Sequence, residues 1–245
     1  MDKMLENISK FQLVVSGVVL GVCLIFCVVI ATSNLSKDEI TVTGTAAEIV
    51  KSDNAKWSVS LRTEAPSRVE SYNKMPQALD VVKKFLTSNE ISENDIEIGA
   101  LDSYPRYKTN PMTGNTTQEI ASWYYTQSIE VSSKDVELLK KLQPEIQGLI
   151  SQGVDISNSN VQYYYSELPK KKAELLSAAT LDAKNRASGM LKATHNRVGK
   201  MRSVKMGVFQ ITRPESNDVS DWGVNDTSTI EKKITAVANV VFGIK

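Results

Sequence analysis

The residues of this chain that could carry chemistry are few and do not converge. His195 is the single histidine, so a Ser-His-Asp triad would have to use it. It sits in KATHNRVGK, at the predicted C-terminal end of a long helix, where a cation suits the helix dipole and can satisfy end carbonyls. It therefore reads as a capping or surface residue. Cys23 and Cys27 are the only cysteines and lie one helical turn apart in an apolar run. They read as small apolar fillers rather than a redox pair or acylation site. Asp218, Asp221 and Asp226 invite a calcium reading, but their spacing lacks the D-x-[DN]-x-[DN]-G order and terminal Glu of an EF-hand loop. Trp123, Tyr124 and Tyr125 with Tyr163, Tyr164 and Tyr165 would either line a ligand pocket or pair across strands in a core. No residue is assigned a catalytic, cofactor-binding or metal-binding role. Ser-Lys or paired-carboxylate hydrolysis stays open, because Ser, Lys, Asp and Glu are abundant.

Composition narrows the classes further. The 245 residues carry a formal net charge of +1, with 41% hydrophobic and 23% charged side chains. That is an ordinary globular balance without the basic field of a nucleic-acid binder, and no nucleic-acid partner is expected. One histidine excludes H-E-x-x-H chemistry. No cysteine follows Cys27, so the rest of the chain has no disulfide and no thiol nucleophile.

The elements that would position these residues begin with an apolar segment. Phe11–Thr32 reads FQLVVSGVVLGVCLIFCVVIAT, without a charge. About 20 apolar residues cross a ~30 Å hydrocarbon core, so a transmembrane helix is expected over 11–33. A cleaved signal peptide is the alternative, with Ala31-Thr32-Ser33 as acceptable small residues. Lys3 and Lys10 before the span against Lys37 after it lean to a cytoplasmic N-terminus and a periplasmic C-terminal domain. Gly17 and Gly21 form a G-x-x-x-G pair expected to pack helix against helix in the bilayer. The expected organisation is a tail over 1–10, the helix over 11–33, a linker over 34–39 and one α+β domain over 40–245.

Within that domain, Asp38–Val50 and Ala55–Thr63 alternate as strands around the turn at 51–54. A helix follows Pro66, with Val69, Tyr72, Leu79, Val82 and Leu86 on its inner face and a kink at Pro76. Ile96 and Ile98 mark the next strand. Thr109–Thr117 is turn chemistry, and Ala121, Trp123, Tyr125, Ile129 and Val131 line one face of the strand after it. Ser132 or Ser133 is placed to cap a helix whose inner face is Val136, Leu139, Leu142, Ile146 and Leu149, kinked at Pro144 and ended by Gly153. Val161–Tyr165 is a further strand. The order is the β-α-β-β-α-β of a ferredoxin-like unit with antiparallel sheet.

A long Ala-rich helix follows over Lys170–His195, its inner stripe Ala173, Leu176, Ala179, Ala183, Ala187 and Met190 or Leu191. Two strands, Arg202–Ile211 and Lys233–Ile244, close the chain. Val237 and Val241 make the last strand apolar on both faces, which places it centrally or at an interface. Thr212–Thr229 between them is a long polar loop. Trp222 reads there as an anchor against a neighbouring subunit.

The opening Ile40–Trp57 resembles that of the SIMPL-domain family, with Gly44, Asp53 and Ala55 in matching places. Ala46 stands where a second glycine is common, and Ser52 replaces the usual Pro. Gln152-Gly153-Val154, the stripe Ala173, Ala179, Ala183 and Ala187, and Val208-Phe209-Gln210-Ile211 resemble later parts of the family in order. The resemblance implies a bacterial envelope protein, an α+β fold and homo-oligomers that include large rings. It supplies no catalytic residue, and the family's associations are with envelope and oxidative stress. The expected function is therefore a non-enzymatic, self-assembling component of the inner membrane and periplasm. Trp222, Val237 and Val241 are the expected subunit contacts, and the partners are other copies and, through 11–33, the bilayer. The alternatives are a periplasmic ligand-binding or stress-sensing module and a Ser/Lys- or carboxylate-based hydrolase.

Overall fold

A computed structural model describes residues 15–30 and 38–245. Helix α1 occupies 15–30. Then come β1 (Glu39–Lys51), β2 (Asn54–Ala65), α2 (Arg68–Ser88), β3 (Ile96–Thr109), β4 (Thr116–Ser133), α3 (Val136–Glu145) and β5 (Asp155–Tyr164). The chain ends with α4 (Leu168–Lys192), β6 (Val198–Met206), β7 (Gln210–Thr212) and β8 (Glu231–Ile244). The architecture is α+β with antiparallel sheets.

The expected membrane-crossing helix is corrected. Among the described residues no helix is long and apolar enough to cross a membrane. Helix α1 has 16 described residues, and at ~1.5 Å rise it spans about 24 Å against the ~30 Å required. The remaining positions of the 11–33 segment, the 1–10 tail and most of the 34–39 linker lie outside the described residues. Gly17 and Gly21 fall on α1, each with open space where a side chain would begin.

The described chain divides into two compact units. One comprises Ala47–Leu175 and Val208–Thr235. Its sheet has the order β3-β4-β2-β5, the split β-α-β arrangement. Helices α2 and α3 share one core against the face that carries Trp57, Val59, Leu61, Ile129 and Val131. Each of these buried side chains contributes about 1.5–3 kcal/mol. Trp57 is fully buried, and its indole N–H donates to Ser159 Oγ at 2.9 Å, so its polar handle is satisfied.

Helix α2 starts where Ser67 Oγ accepts from the Glu70 N–H at 3.2 Å. Its buried stripe is Ser71, Met75, Ala78, Val82 and Leu86, and the helix runs unbroken through Pro76. Val69 and Tyr72, expected inside, are exposed. Ser71 takes the inner place because it exchanges hydrogen bonds with Thr63, donating to its carbonyl at 3.1 Å and accepting through its own at 2.9 Å. In α3 the cap is Asp135, which accepts from the Leu138 N–H at 2.9 Å, rather than Ser132 or Ser133. The expected inner face, Val136, Leu139, Leu142, Ile146 and Leu149, is buried as a whole. After Pro144 the helix tightens to a 3₁₀ turn, and Gly153 ends it at φ 82°.

The second unit contains residues up to Ala46, Leu176–Gly207 and Ala236–Lys245. β8 lies centrally between β1 and β6, which accounts for apolar residues on both of its faces. Val237 and Val241 are half-buried there. The buried stripe of α4 is Leu175, Ala179, Ala183, Ala187 and Leu191, at spacing four, while Ala173 is exposed. The alanines let β1 come close. A Cβ on Gly44 would lie 2.1 Å from the Ala179 carbonyl oxygen and 2.4 Å from the Ala183 nitrogen. Both obstacles are backbone and cannot rotate away.

Gly44→Val is therefore expected to destabilise the fold by at least about 3 kcal/mol, measured as a lowered urea midpoint. Gly189→Ala in the open part of α4 meets nothing within 4 Å and should gain about 0.5–1 kcal/mol. Equal effects from the two would refute the close-approach account.

Candidate functional site

The most built surface feature is the loop between β7 and β8. Gln210 is buried beneath it. Its amide N–H donates to the Ser220 carbonyl at 2.8 Å, and its oxygen accepts from the Ser220 and Val224 N–H groups at 3.3 and 2.9 Å. Ile211 adds two backbone bonds, donating to Val224 at 2.8 Å and accepting from Asp226 at 2.9 Å. Lys233 Nζ holds the outer arm through the Ser216 carbonyl at 2.6 Å. Gly223 turns the chain at φ 87°, where a Cβ would meet Val208 and the Phe209 carbonyl inside 3 Å.

The inner arm is fixed by charge. Lys232 is buried, and its ammonium donates to the Asp226 and Thr229 carbonyls at 2.6 and 2.7 Å. Burial lowers its pKa, and the nearby Asp226 carboxylate partly offsets this. Burial works against the charged form of Asp226, but hydrogen bonds from Ser228 and Thr229 outweigh it and hold the carboxyl below its ordinary value. Asp226 thus acts as an internal brace. Asp218 likewise bonds within the loop, to Ser216 at 2.6 Å. Among the described residues no group of three or more His, Cys, Asp or Glu is placed to hold a metal.

What this bracing presents is apolar. Trp222 is 94% exposed and Val219 79% exposed at the loop's outer side. Sequence reasoning located Trp222, but the brace beneath it was missed. Gln210 and Lys232 look like ordinary polar strand residues, and only burial shows their role.

Strand alternation divides the aromatic residues between the two faces of the sheet, as expected for Tyr124 against Tyr125. Tyr125 and Tyr163 join the core. Tyr124 lies on the open face of the sheet, stacked on Tyr104 at 5.4 Å, with the Arg62 guanidinium 4.5 Å from its centroid. Beside them Glu64 accepts from Ser122, Arg62 and Arg106. The Ser122 bond lowers its carboxyl pKa against the cost of burial, helped by Arg106. Glu64 is thus fully paired in this cluster, whereas Arg62 Nε is buried without a hydrogen-bond partner. A separate cleft of about 590 Å³ is lined by Lys51, Glu137, Lys140, Asn160, Tyr163 and Glu231. Lys51 and Glu137 pair there at 2.9 Å. His195 is exposed with φ 60°, just past the end of α4, and its N–H donates to the Lys192 carbonyl at 3.2 Å. It stands far in sequence from these groups and closes the helix.

With this geometry in view, the SIMPL family, described as a protein of unknown function (DUF541), matches residues 40–242. The chain belongs to the SIMPL family. Its resemblance-bearing residues are structural ones. Gly44 admits α4, Ala55 is fully buried, and Asp53 accepts from the Ser166 backbone at 2.8 Å to tie the β1–β2 turn to the start of α4. A comparison with curated proteins found no match. Among solved structures the SIMPL chain is similar to one titled "Crystal structure of an uncharacterized conserved protein from Listeria innocua". Identity is 11%, over 81% of this chain and 92% of that one, with a TM-score of 0.22.

Because the Asp226 carboxyl is held low, the brace is complete above the ordinary carboxylate pKa of about 3.9. It is lost as pH falls through the depressed folded value. A side-chain carboxyl titration by NMR should place Asp226 below that ordinary value, and one at or above it would refute the brace. Gln210→Ala should speed amide exchange at Ser220 and Val224 and cost about 1–3 kcal/mol.

Proposed function

We propose that this SIMPL protein is a self-assembling, non-catalytic component of the cell envelope with a structural or binding role. The observation that carries the reading is the braced presentation of Trp222. Buried Gln210 and Lys232 are spent on holding a loop whose outer face is an exposed indole. Pre-ordering an aromatic anchor removes an entropy cost of association, and Trp is prominent among the residues that dominate interfaces. The strongly held charges explain themselves without a reaction. Glu64, Asp226 and Lys232 are each satisfied by neighbours that brace the fold.

Light scattering on the full chain should show association at micromolar concentration, and Trp222→Ala should weaken it at least tenfold. A monomer across that range would overturn the reading.

The cleft beside Lys51 favours a second reading, a module that binds a small polar molecule. Its volume of about 590 Å³ lies within the ~300–1,000 Å³ of ligand sites. Native mass spectrometry would then find a co-purifying compound that Lys140→Glu removes. An empty protein in both forms would end this reading.

A further inference from the structure

The cleft beside Lys51 contains an open stretch of strand edge. β5 ends the order β3-β4-β2-β5, so alternate residues turn their N–H and C=O groups away from the sheet. Two of these outward residues are engaged. The Tyr163 N–H donates to the Thr227 carbonyl at 2.8 Å, and the Ser159 carbonyl accepts from Gln143 Nε2 at 3.2 Å. Val161 stands between them, turns the same way and lines the cleft. Its N–H and C=O have no partner among the described residues. The Tyr163 hydroxyl is also unspent. The residue is only 5% exposed, yet its hydroxyl makes no hydrogen bond among the described residues. The sealed side-chain atoms without a partner there are Ser52 Oγ and Arg62 Nε, so the Tyr163 hydroxyl opens into the cleft that it lines. Burial and the Glu137 carboxylate raise its pKa, which keeps it a hydrogen-bond donor.

Charge changes sign along this cleft, all of whose walls belong to the larger unit. Helix α3 runs against β5, with Gln143 bonded to Ser159 and Glu137 close enough to Tyr163 to raise its pKa. Lys140 lies between Glu137 and Gln143 on the same helix face and so stands level with Val161. The chain after Thr227 leads the other way. The Ile230 carbonyl accepts from the Ser52 N–H at 2.8 Å, next to Asp53, whose N–H donates to the Tyr164 carbonyl at 3.0 Å. Glu231 therefore belongs to the Tyr163 end. Lys51 and Glu137 pair at that end, which leaves Glu231 as its net charge. Lys140 is the charge of the Val161 end. The Ser228 and Thr229 hydroxyls are spent on Asp226.

We propose that the cleft binds a short peptide with free termini, laid antiparallel to β5. The inference rests on the reading of this cleft as a site for a small polar molecule and adds the class of that molecule. The last residue of the peptide exchanges hydrogen bonds with Val161, as opposed residues of antiparallel strands do. Its carboxylate meets Lys140, its N-terminal ammonium meets Glu231, and the Tyr163 hydroxyl donates to a carbonyl oxygen. At ~3.3 Å per residue the stretch from Lys140 to Glu231 suits about two or three residues. A cleft with one charge of each sign at opposite ends matches a zwitterion better than an anion or a cation. It suits a sugar poorly, because Tyr163 is the only aromatic residue of the lining and its ring is buried. One open edge residue is also too short for a strand of another copy.

Titration calorimetry of the full chain in a non-ionic detergent, with trialanine as the probe, tests this. Trialanine is expected to bind, and N-acetylation or C-terminal amidation should each weaken it about tenfold, the loss of one hydrogen bond to a charged group. Lys140→Gln should bind trialanine and its amide equally. Glu231→Gln should bind trialanine and its acetylated form equally. Tyr163→Phe should weaken binding and keep both preferences. Amide exchange at Val161 should slow on adding trialanine, while exchange at Tyr163, already bonded, should not change. Preferences for free termini that survive both charge variants would overturn the placement of the peptide. Free alanine that binds as tightly as trialanine would overturn the peptide class. Native mass spectrometry separates the remaining outcomes. A co-purified peptide that Lys140→Glu removes would support the proposal. If trialanine fails to bind and Lys140→Glu removes a compound that is not a peptide, the proposal falls and the small-molecule site stands. An empty protein that does not bind trialanine would overturn both.

Discussion

Backbone meeting backbone at Gly44 is the constraint on which the smaller unit depends. Most sheets keep a helix at a distance set by their side chains. Here β1 has no side chain at Gly44, and α4 presents alanines at 179, 183 and 187, so strand and helix approach until main-chain atoms touch. The gain is dispersion contact over many atom pairs and the loss is tolerance. The consequence reaches the opposite surface of α4. With its inner stripe given to alanine, the larger apolar residues Leu181 and Met190 fall on exposed positions. A packing requirement on one face of the helix thereby leaves larger apolar residues exposed on another.

The loop over β8 follows a different rule. It contains Ser, Asn, Asp and Gly, residues that favour turns but bury little apolar area. Such a segment is ordered only if polar groups are buried with it and fully satisfied. Gln210 and Lys232 meet that demand from strands beneath the loop, each making more than one bond to loop backbone. Rigidity comes from hydrogen bonding, and the apolar residues that would otherwise form a small core, Trp222 and Val219, are released to the outside.

Periodicity made the sheets and the α3 face legible. Val136, Leu139, Leu142, Ile146 and Leu149 are consistent in both apolarity and spacing, and they are buried together. It failed where a polar residue took a core position. Ser71 displaced Val69 and Tyr72 from the inner face of α2 because a hydrogen-bond exchange with Thr63, invisible in a hydrophobic pattern, decides the rotation. The polar half of β5, Ser157 to Asn160, escaped the strand pattern because its open face is Asn and Ser. The final pair of strands read as two, yet 207–209 interrupts the first and leaves β7 as a short separate strand. The apolar run at 11–33 was the strongest single signal in the sequence, and the 16 described residues of α1 are too few to cross a membrane. Trp222 stood out in the sequence from its setting in a long polar loop, whereas the buried Gln210 and Lys232 that order the loop did not, since only the fold brings them beneath it.

Sheet edges decide which mode of association is open to such a molecule. An unprotected edge invites strand addition, and each edge here carries a guard. β3 has Pro105 and three breaks in register against β4. The Tyr163 N–H of β5 is taken by the Thr227 carbonyl at 2.8 Å. On β1, Asp182 accepts the Thr45 N–H at 2.9 Å, a bond that together with Arg186 keeps its carboxyl below the ordinary range despite burial. β6 has two register breaks and carries Lys200 and Lys205. With the edges guarded, copies that meet gain little from backbone pairing.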